Sequence, residues 1–218
     1  MNSEILKRIA SSIILIPLSV FIIVKGSILF TLFLIFCFLI CSYEWYKMVN
    51  KISIFSIGFV YLILSFASVY NIREDLNLGY YFFLFVLCVC VASDIGGYVV
   101  GKIFKGPKLT KISPNKTYSG MLGSYFFALI TVLIFLNIRF MHIPFNFTLN
   151  LVILVICISS ISQIGDLTIS FFKRYFNVKD TGNIIPGHGG LLDRLDGMIF
   201  AFPFSYLIMS FDLIDIYK

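Results

Sequence analysis

Three aspartates beside apolar segments, Asp166, Asp193 and Asp196, have the residue type and spacing of a divalent-cation site. Asp193 and Asp196 are three residues apart, so a helix would place both carboxylates on one face. Asp166 ends a neighbouring apolar segment, so we expect it at a similar depth. Mg²⁺ typically takes one or two carboxylates together with substrate phosphates. The alternative is that these aspartates only form ion pairs with basic residues of the same segment, although charge beside an apolar wall usually marks a functional site.

A glycine-rich loop lies between Asp166 and Asp193. Residues 185–190 read IPGHGG, and such a backbone could approach a ligand closely, with N–H groups free to meet phosphate oxygens. A glycine-rich loop or a single histidine is a weak signal when it stands alone. Basic residues around the loop strengthen it, because ammonium and guanidinium groups beside Mg²⁺ hold a transferring phosphoryl group. These basic residues are Lys173, Arg174, Lys179 and Arg194.

A second polar segment, residues 101–120, contains five lysines interleaved with Ser, Thr and Asn. This composition suits an anionic headgroup or a nucleoside triphosphate, and the alternative is a basic loop that only touches anionic lipid. Just upstream, Asp94 interrupts an apolar segment, where a carboxylate is a functional hypothesis by default. Residues 96–102 match the start of a phosphate-binding P-loop, but Ile103 replaces the required Ser or Thr and the segment is predicted to be a membrane helix. We therefore exclude a P-loop.

The elements that must position these residues are membrane helices. The chain of 218 residues is 59% hydrophobic and 13% charged, and its mean hydropathy of +0.97 excludes an ordinary soluble domain. A membrane-spanning helix needs roughly 20 apolar residues. The candidate segments lie at about 9–24, 27–43, 53–70, 79–100, 119–138, 147–166 and 196–213. The first two are short and separated only by Lys25-Gly26, so they form either a tight helical hairpin or one long tilted element. The sequence thus predicts an all-α polytopic membrane protein, with one domain over residues 1–218, a catalytic half at about 94–197 and a polar cavity facing the cytoplasm.

The distribution of basic residues predicts the orientation of these seven segments. Thirteen lysines and arginines fall in the N-terminus and in residues 44–52, 101–118 and 167–195, against four elsewhere. The positive-inside rule makes the richer side cytoplasmic, so both polar segments are predicted on one face. The net charge of +6 follows from these loops, and no nucleic-acid partner is expected. Residues 9–24 precede no small-residue cleavage site, so we interpret them as a helix rather than a signal peptide.

The polar segments together resemble the CDP-diacylglycerol synthases, also called phosphatidate cytidylyltransferases. The family pattern S-x-x-K-R, K-D, H-G-G and D-R-x-D is matched in order by Ser170 to Arg174, Lys179-Asp180, His188-Gly189-Gly190 and Asp193 to Asp196. Two upstream elements, S-P-x-K-T-x-x-G and D-x-G-x-Y, are matched by Ser113 to Gly120 and by Asp94 to Tyr98. The resemblance covers about the C-terminal 125 residues, whereas residues 1–80 are similar mainly in hydropathy.

The resemblance implies that CTP and phosphatidate are converted to CDP-diacylglycerol and pyrophosphate with Mg²⁺. It assigns the metal to Asp166 and Asp193, and we expect Asp94 and Asp196 to act as supporting acids. The predicted catalytic residues are Lys173, Arg174, Lys179, Asp180, His188, Arg194 and Asp196. The predicted substrate-binding residues are Asp94, Ser113, Lys116, Thr117, Gly187, Gly189 and Gly190. A second cation and a homodimer are additional hypotheses, and the expected location is the bacterial inner membrane with a cytoplasmic active site.

Two other functions stay open at this point. A CTP-dependent lipid-alcohol kinase would share the metal and nucleotide elements but would phosphorylate a hydroxyl group. A transporter would account for an aspartate in a membrane helix. Transport would not explain why glycines, acids and phosphate-binding bases gather in the same loops, so the sequence favours an enzyme.

Overall fold

The computed structural model describes residues 3–75, 79–110, 113, 116–137, 148–185, 187 and 189–211, and for residues 3–12 the backbone alone. Within these residues the chain forms seven α-helices, and extended pairing is limited to isolated bridges. The helices are α1 Ser3–Lys25, α2 Ser27–Met48, α3 Ile52–Glu74, α4 Gly79–Phe104, α5 Tyr118–Asn137, α6 Leu149–Tyr175 and α7 Leu192–Ser210. The all-α prediction is confirmed for the described residues.

Five of the helices, α2 to α6, are long and apolar enough to cross a membrane. Residues Ile13–Lys25, the part of α1 whose side chains the structure describes, are also apolar, and α7 is not among the five. Large apolar side chains on the described surface of α2 are exposed, for example Ile28, Phe36 and Leu39. Such a surface suits contact with lipid chains, because exposing large apolar side chains to water is energetically unfavourable. Length and composition therefore support a membrane protein with at least five spans within the described residues.

The chain divides into two compact units. The first contains Met1–Phe66 and Phe172–Leu195, and the second contains Ala67–Phe171 and Asp196–Lys218. The boundaries fall within α3, α6 and α7, so each of these helices contributes residues to both units. We describe each unit by itself.

In the second unit, α4 and α5 approach closely because glycines line the contact. A Cβ on Gly120 would lie 2.8 Å from the carbonyl oxygen of Gly97, and a Cβ on Gly97 would lie 2.7 Å from Ser124 Oγ. A side chain on Gly96 would collide with the carbonyl oxygen of Gly123. Small residues allow this approach between membrane helices, where dispersion contacts and hydrogen bonds hold the helices together. The packing positions the loop that joins α4 to α5.

Buried hydroxyl groups join α4, α5 and α6 in the same unit. Ser93 Oγ donates to Ser159 Oγ over 2.7 Å, and Ser124 Oγ donates to the carbonyl oxygen of Ser93 over 2.8 Å. Gln163 Nε2 adds a hydrogen bond of 3.3 Å to Ser159 Oγ. Polar groups that are removed from water must find partners within the protein, and these pairs provide them. These bonds thereby join the three helices within the second unit.

Helix α6 is longer than the sequence analysis predicted, and this corrects one expectation. The loop was expected to begin directly after Asp166, but α6 continues to Tyr175, so the motif Ser170 to Arg174 is helical. No glycine or proline interrupts residues 167–175, so nothing ends the helix there. It ends instead where Asn177 adopts a φ of 56°.

The end of α6 is a Schellman motif. The N–H of Val178 donates to the carbonyl oxygen of Lys173 over 2.9 Å, and the N–H of Asn177 donates to that of Arg174 over 3.1 Å. These bonds satisfy the last carbonyl groups of the helix. Helix α7 in turn begins at Leu192, earlier than the predicted 196. Asp193 and Asp196 therefore do lie on one helix, three residues apart.

Candidate active site

A buried carboxylate on α2, Glu44, organises the polar loop of the first unit. Its side chain is 1% exposed. Its Oε1 accepts a hydrogen bond of 3.0 Å from the N–H of Leu191, and its Oε2 accepts one of 2.8 Å from the N–H of Leu192. Thr181 Oγ1 donates a further bond of 3.2 Å to Oε2. Leu192 is the first residue of α7, so Glu44 satisfies N–H groups that a helix start leaves unpaired, at its electropositive end.

A second carboxylate, Asp193, binds the same loop from within α7. Its Oδ2 accepts hydrogen bonds from the N–H groups of Thr181 and Gly190, at 2.9 and 3.1 Å. Its Oδ1 pairs with Lys173 Nζ over 2.7 Å. The side chains of Asp193 and Lys173 are 6% and 13% exposed. Lys173 is predicted to neutralise phosphate charge, and in the structure it pairs with the predicted metal ligand.

The surroundings of Asp193 lower the pKa of its carboxyl group below the usual 3.8. Burial acts in the opposite direction, because it disfavours the charged form, but the hydrogen bonds from Lys173 and from the N–H groups of Thr181 and Gly190, with the Lys173 charge, outweigh it. Asp193 is therefore a carboxylate throughout the neutral pH range. It can offer a negative charge to a cation without first losing a proton.

The lowered pKa predicts how pH affects stability. A carboxyl group whose pKa is lower in the folded chain stabilises fully above its unfolded pKa, and this stabilisation is lost as the pH falls through the folded pKa. We expect the unfolding temperature of the wild type to exceed that of Asp193→Asn by a constant margin between about pH 5 and 8, and the margin to shrink below about pH 4. Thermal unfolding of both proteins in detergent measures this margin, and a margin that shrank between pH 8 and 5 would contradict the assignment.

The glycines of this loop are required by Glu44 as well as by the backbone. A Cβ on Gly182 would lie 2.5 Å from Glu44 Oε1, and a Cβ on Gly190 would lie 2.6 Å from Glu44 Oε2. Gly189 has a φ of 85°, which disfavours other residues. The glycine-rich sequence predicts N–H groups that are free for phosphate along this loop. At Gly190 this prediction is wrong, because its N–H donates to Asp193. A buried N–H is satisfied by the protein wherever a carboxylate is within reach.

In the second unit, Lys116 and Asp166 form an ion pair between Lys116 Nζ and Asp166 Oδ2. Their side chains are 25% and 32% exposed. Ser170 Oγ, one turn further along α6, donates a long hydrogen bond of 3.4 Å to Asp166 Oδ1. The structure thus joins the S-P-x-K-T element to a predicted metal ligand, a connection that sequence spacing did not indicate.

The loop that carries Lys116 is held by backbone pairing and by a helix cap. Thr117 Oγ1 accepts a bond of 3.1 Å from the N–H of Gly120, which makes Thr117 the N-cap of α5. The N–H of Lys116 donates to the carbonyl oxygen of Ser113 over 3.1 Å, and the carbonyl oxygen of Lys116 accepts from Leu109 over 2.8 Å. Ser113 and Thr117, both predicted to bind substrate, therefore shape the loop that presents Lys116.

The other predicted site acids of the second unit, Asp94 and Asp196, lie on α4 and α7. A Cβ on Gly165, the residue before Asp166, would lie 2.8 Å from the carbonyl oxygen of Asp196, so α6 and α7 touch at this level. Asp196 Oδ1 also accepts a hydrogen bond of 2.9 Å from the N–H of Gly197. Asp94 is exposed on α4 and takes part in further interactions within the chain. The backbones of α6 and α7 therefore lie close together next to Asp166 and at Asp196, and the convergence of the two carboxylates stays a prediction.

Other predicted site residues lie on the surface of the first unit, and one lies outside the described residues. Arg174, Lys179, Asp180, Gly187 and Arg194 are exposed, as groups that meet a substrate from solution need to be. Arg194 also interacts within the chain. His188 lies outside the described residues, so its catalytic role stays a prediction.

The residue types fit a divalent cation only in part. Carboxylate oxygens are the donors that Mg²⁺ takes. A carboxylate oxygen has two acceptor positions, so Asp193 Oδ1 keeps one after its bond to Lys173. In the described part of the chain, however, no group of three or more His, Cys, Asp or Glu side chains is gathered closely enough to hold an ion. Any Mg²⁺ bound by these acids would complete its coordination with water or phosphate oxygens.

The described residues define an all-helical protein with several helices of membrane-spanning length and two carboxylate–lysine pairs at the ends of its polar loops. A sequence model of the cytidylyltransferase family matches residues 50–212. The chain belongs to this family, and it is therefore a nucleotidyltransferase enzyme. The transporter hypothesis is thereby set aside.

Individual relatives agree with this assignment. The chain is 36% identical over 165 residues to a phosphatidate cytidylyltransferase of Bacillus subtilis. This alignment covers 74% of this chain and 59% of the relative. It is 36% identical to proteins of the same name from Rickettsia conorii, over 91% of this chain and 88% of the relative, and from Rickettsia felis, over 95% and 93%. The chain thus spans less than two thirds of the Bacillus relative and most of the Rickettsia relatives.

Glu44 is the site residue that sequence reasoning missed. It lies in Ser42-Tyr43-Glu44-Trp45, at the end of an apolar segment where a carboxylate is expected to reach water. Its only signal was its position within a turn of buried residues, since Cys41, Trp45 and Met48 are apolar and on the same face. A charge on an apolar helix face indicates a buried partner, but the partners here are backbone groups, which leave no mark in a sequence.

Proposed function

We propose that this chain is a phosphatidate cytidylyltransferase that uses CTP in phospholipid synthesis. A phosphate oxygen of phosphatidate attacks the α-phosphorus of CTP and forms a new P–O bond. The bond between the α-phosphorus and the oxygen that bridges to the β-phosphorus breaks, and pyrophosphate leaves. Such a transfer needs no covalent enzyme intermediate, only positioning and neutralisation of charge.

The observation that carries this proposal is the match to relatives of nearly the same length. The Rickettsia felis protein, named a phosphatidate cytidylyltransferase, is aligned over 95% of this chain and 93% of its own. The alignment includes both polar loops and the residues that the motifs assign. Reaction chemistry is carried by such site residues rather than by the fold alone, so a match that extends over both loops supports the same reaction.

Within this reaction, the chain's own groups bind and neutralise the substrates. Lys116 contacts a phosphate of CTP or of the lipid, and the exposed Arg174, Lys179 and Arg194 neutralise the triphosphate. Ser113 and Thr117 hold the loop of Lys116, and Gly187 and Gly189 shape the loop after α6. Asp180 and His188 are proposed to act in the same loop.

Asp166 and Asp193 are proposed to hold Mg²⁺, which would neutralise charge on the phosphates during transfer. This part of the proposal rests on the sequence motifs, since the two carboxylates belong to different structural units. Each carboxylate is paired with a lysine of its own unit, so the cation would have to displace this lysine or share the carboxylate with it. Asp94 and Asp196 are proposed as supporting acids, and a second cation and a homodimer as additional features.

A transfer assay with two positions of label tests the proposed reaction. Purified protein is given phosphatidate, Mg²⁺ and CTP labelled at the α- or the γ-phosphate. Cytidylyl transfer places the α-label in the lipid phase and the γ-label in aqueous pyrophosphate. In a second reaction, an alcohol such as dolichol replaces phosphatidate. A CTP-dependent lipid kinase would then place the γ-label in lipid, and that result would contradict the proposal.

We also propose seven membrane spans, with the N-terminus and both polar loops in the cytoplasm and with the protein in the bacterial inner membrane. The helices of membrane-spanning length and the concentration of basic residues in these loops support this arrangement. An active site on the cytoplasmic side would also meet CTP where it is made.

The topology predicts a labelling pattern. Cysteines introduced at Ser113 and Asn183, in a background without the native cysteines, are expected to react with an impermeant thiol reagent from the cytoplasmic side. A cysteine at Asn146, which lies outside the described residues, is expected to react from the opposite side. Labelling of intact and inverted vesicles measures both. Reaction of positions 113 and 183 from different sides would refute the seven-span arrangement.

A further inference from the structure

The carboxylate of Glu44 accepts hydrogen bonds from two parts of the loop that leads into α7. Thr181 at the beginning of the loop and Leu191 and Leu192 at its end all donate to the two oxygens of this side chain. Thr181 is itself 5% exposed, and its backbone N–H donates to Asp193. One residue therefore connects the carboxylate on α2 with the predicted metal ligand on α7.

Only an acceptor at both oxygens can satisfy this arrangement. An ionised carboxylate accepts at both oxygens, whereas a glutamine amide accepts at one and donates at the other. If the amide oxygen of Gln accepted from Leu192, its NH₂ group would face the N–H of Leu191, and two donors would oppose each other. The opposite orientation would place the NH₂ group against the N–H of Leu192. In a site with 1% exposure, water cannot relieve either conflict.

We propose that Glu44 is a positioning residue for Asp193. By holding Thr181, Leu191 and Leu192, it keeps the start of α7 and the N–H donors of Asp193 in place. The carboxylate of Asp193 then has one orientation, with Oδ2 on the loop and Oδ1 toward Lys173. This inference rests on the proposed function, since Asp193 is there the ligand of the catalytic cation.

The test compares Glu44→Gln with Ser42→Ala, a control on the same helix. Ser42 Oγ is buried and has no hydrogen-bond partner among the described residues, so its removal leaves the loop untouched. Hydrogen exchange without Mg²⁺, followed by mass spectrometry, measures protection of peptides that cover residues 178–192. Steady-state kinetics with CTP and phosphatidate measure kcat, KM and the Mg²⁺ concentration that gives half the maximal rate.

We expect Glu44→Gln to speed exchange in these peptides, to lower kcat/KM roughly tenfold or more, and to raise the half-maximal Mg²⁺ concentration. Ser42→Ala should match the wild type in all three. Faster exchange with an unchanged Mg²⁺ requirement and KM would reduce Glu44 to a purely structural residue and overturn the proposal. Exchange and kinetics like those of Ser42→Ala would overturn it as well.

Thr181→Val is the second variant, for the case in which Glu44→Gln does not fold. It removes the hydroxyl bond to Glu44 but keeps the backbone N–H that donates to Asp193. The proposal expects a smaller change in the same direction in both exchange and Mg²⁺ requirement, and no change would contradict it. If the wild type transfers no cytidylyl group, the proposed function fails, whereas the exchange comparison still decides whether Glu44 holds the loop.

Discussion

Replacement of Asp193 by Asn is expected to lower kcat/KM for cytidylyl transfer at least about a hundredfold, which corresponds to about 2.7 kcal/mol of transition-state stabilisation. Asn keeps the size of the side chain, and its amide oxygen can still accept the N–H groups of Thr181 and Gly190. The negative charge is lost, and with it the attraction for Mg²⁺ and for Lys173. Initial rates at several Mg²⁺ concentrations measure the effect.

Two further variants serve as controls for this result. Glu74→Gln removes an exposed negative charge at the end of α3 and should leave the rate unchanged, so it controls for net charge. The double variant Lys173→Met with Asp193→Asn removes both members of the buried pair, and so avoids an unpaired ammonium group. Recovery of activity in the double variant, or near-normal activity of Asp193→Asn at saturating Mg²⁺, would show that Asp193 serves the fold and not the cation.

Replacement of Lys116 by Gln is expected to lower both kcat and kcat/KM, the latter by about 2 kcal/mol or roughly thirtyfold. Lys116 is partly buried and paired with Asp166, on a loop that Thr117 and backbone bonds hold in place. A positive charge that is held in this way can meet a phosphate oxygen in the transition state. The decrease in kcat and kcat/KM caused by Lys116→Gln should therefore not depend on the charge of the surrounding lipid. Kinetics in neutral and in anionic mixed micelles measure this.

Lys108→Gln is the matched control for this comparison. Lys108 is exposed, and its bridge to Thr117 involves backbone atoms alone, so the variant leaves the loop intact. Its effect should come from attraction to anionic lipid, about 1 kcal/mol per residue near the surface, and should weaken with salt. If anionic carrier lipid alone restored the activity of Lys116→Gln, the loop would be no more than a basic patch.

Much of the fold could be predicted from the sequence, because membrane helices are encoded by local composition. Runs of about 20 apolar residues have few alternatives in a bilayer, where every backbone group needs an internal partner. The seven helices of the described chain follow the predicted segments for this reason. The boundaries of α6 and α7 were less accurate, since beyond the apolar run a helix continues until a residue such as Asn177 ends it.

The acidic and basic residues of the candidate site could also be predicted from the sequence, because such residues are rare in apolar surroundings and their spacing follows a family pattern. Asp166, Lys173 and Asp193 were all identified in this way. Their pairing was not, since Lys116 and Asp166 are fifty residues apart in the chain, and an ion pair over that distance depends on how the helices pack.

Glu44 shows most clearly where sequence reasoning stops. Its partners are the N–H groups of Leu191 and Leu192, and every residue except proline carries the same N–H. No side-chain type or spacing can therefore indicate that a carboxylate on α2 will cap α7. The glycines at 182 and 190 could be read only as flexible, whereas the folded chain requires them because a carboxylate occupies the space next to them. Residue types thus establish which chemistry is available, and packing over long sequence distances establishes which groups hold it in place.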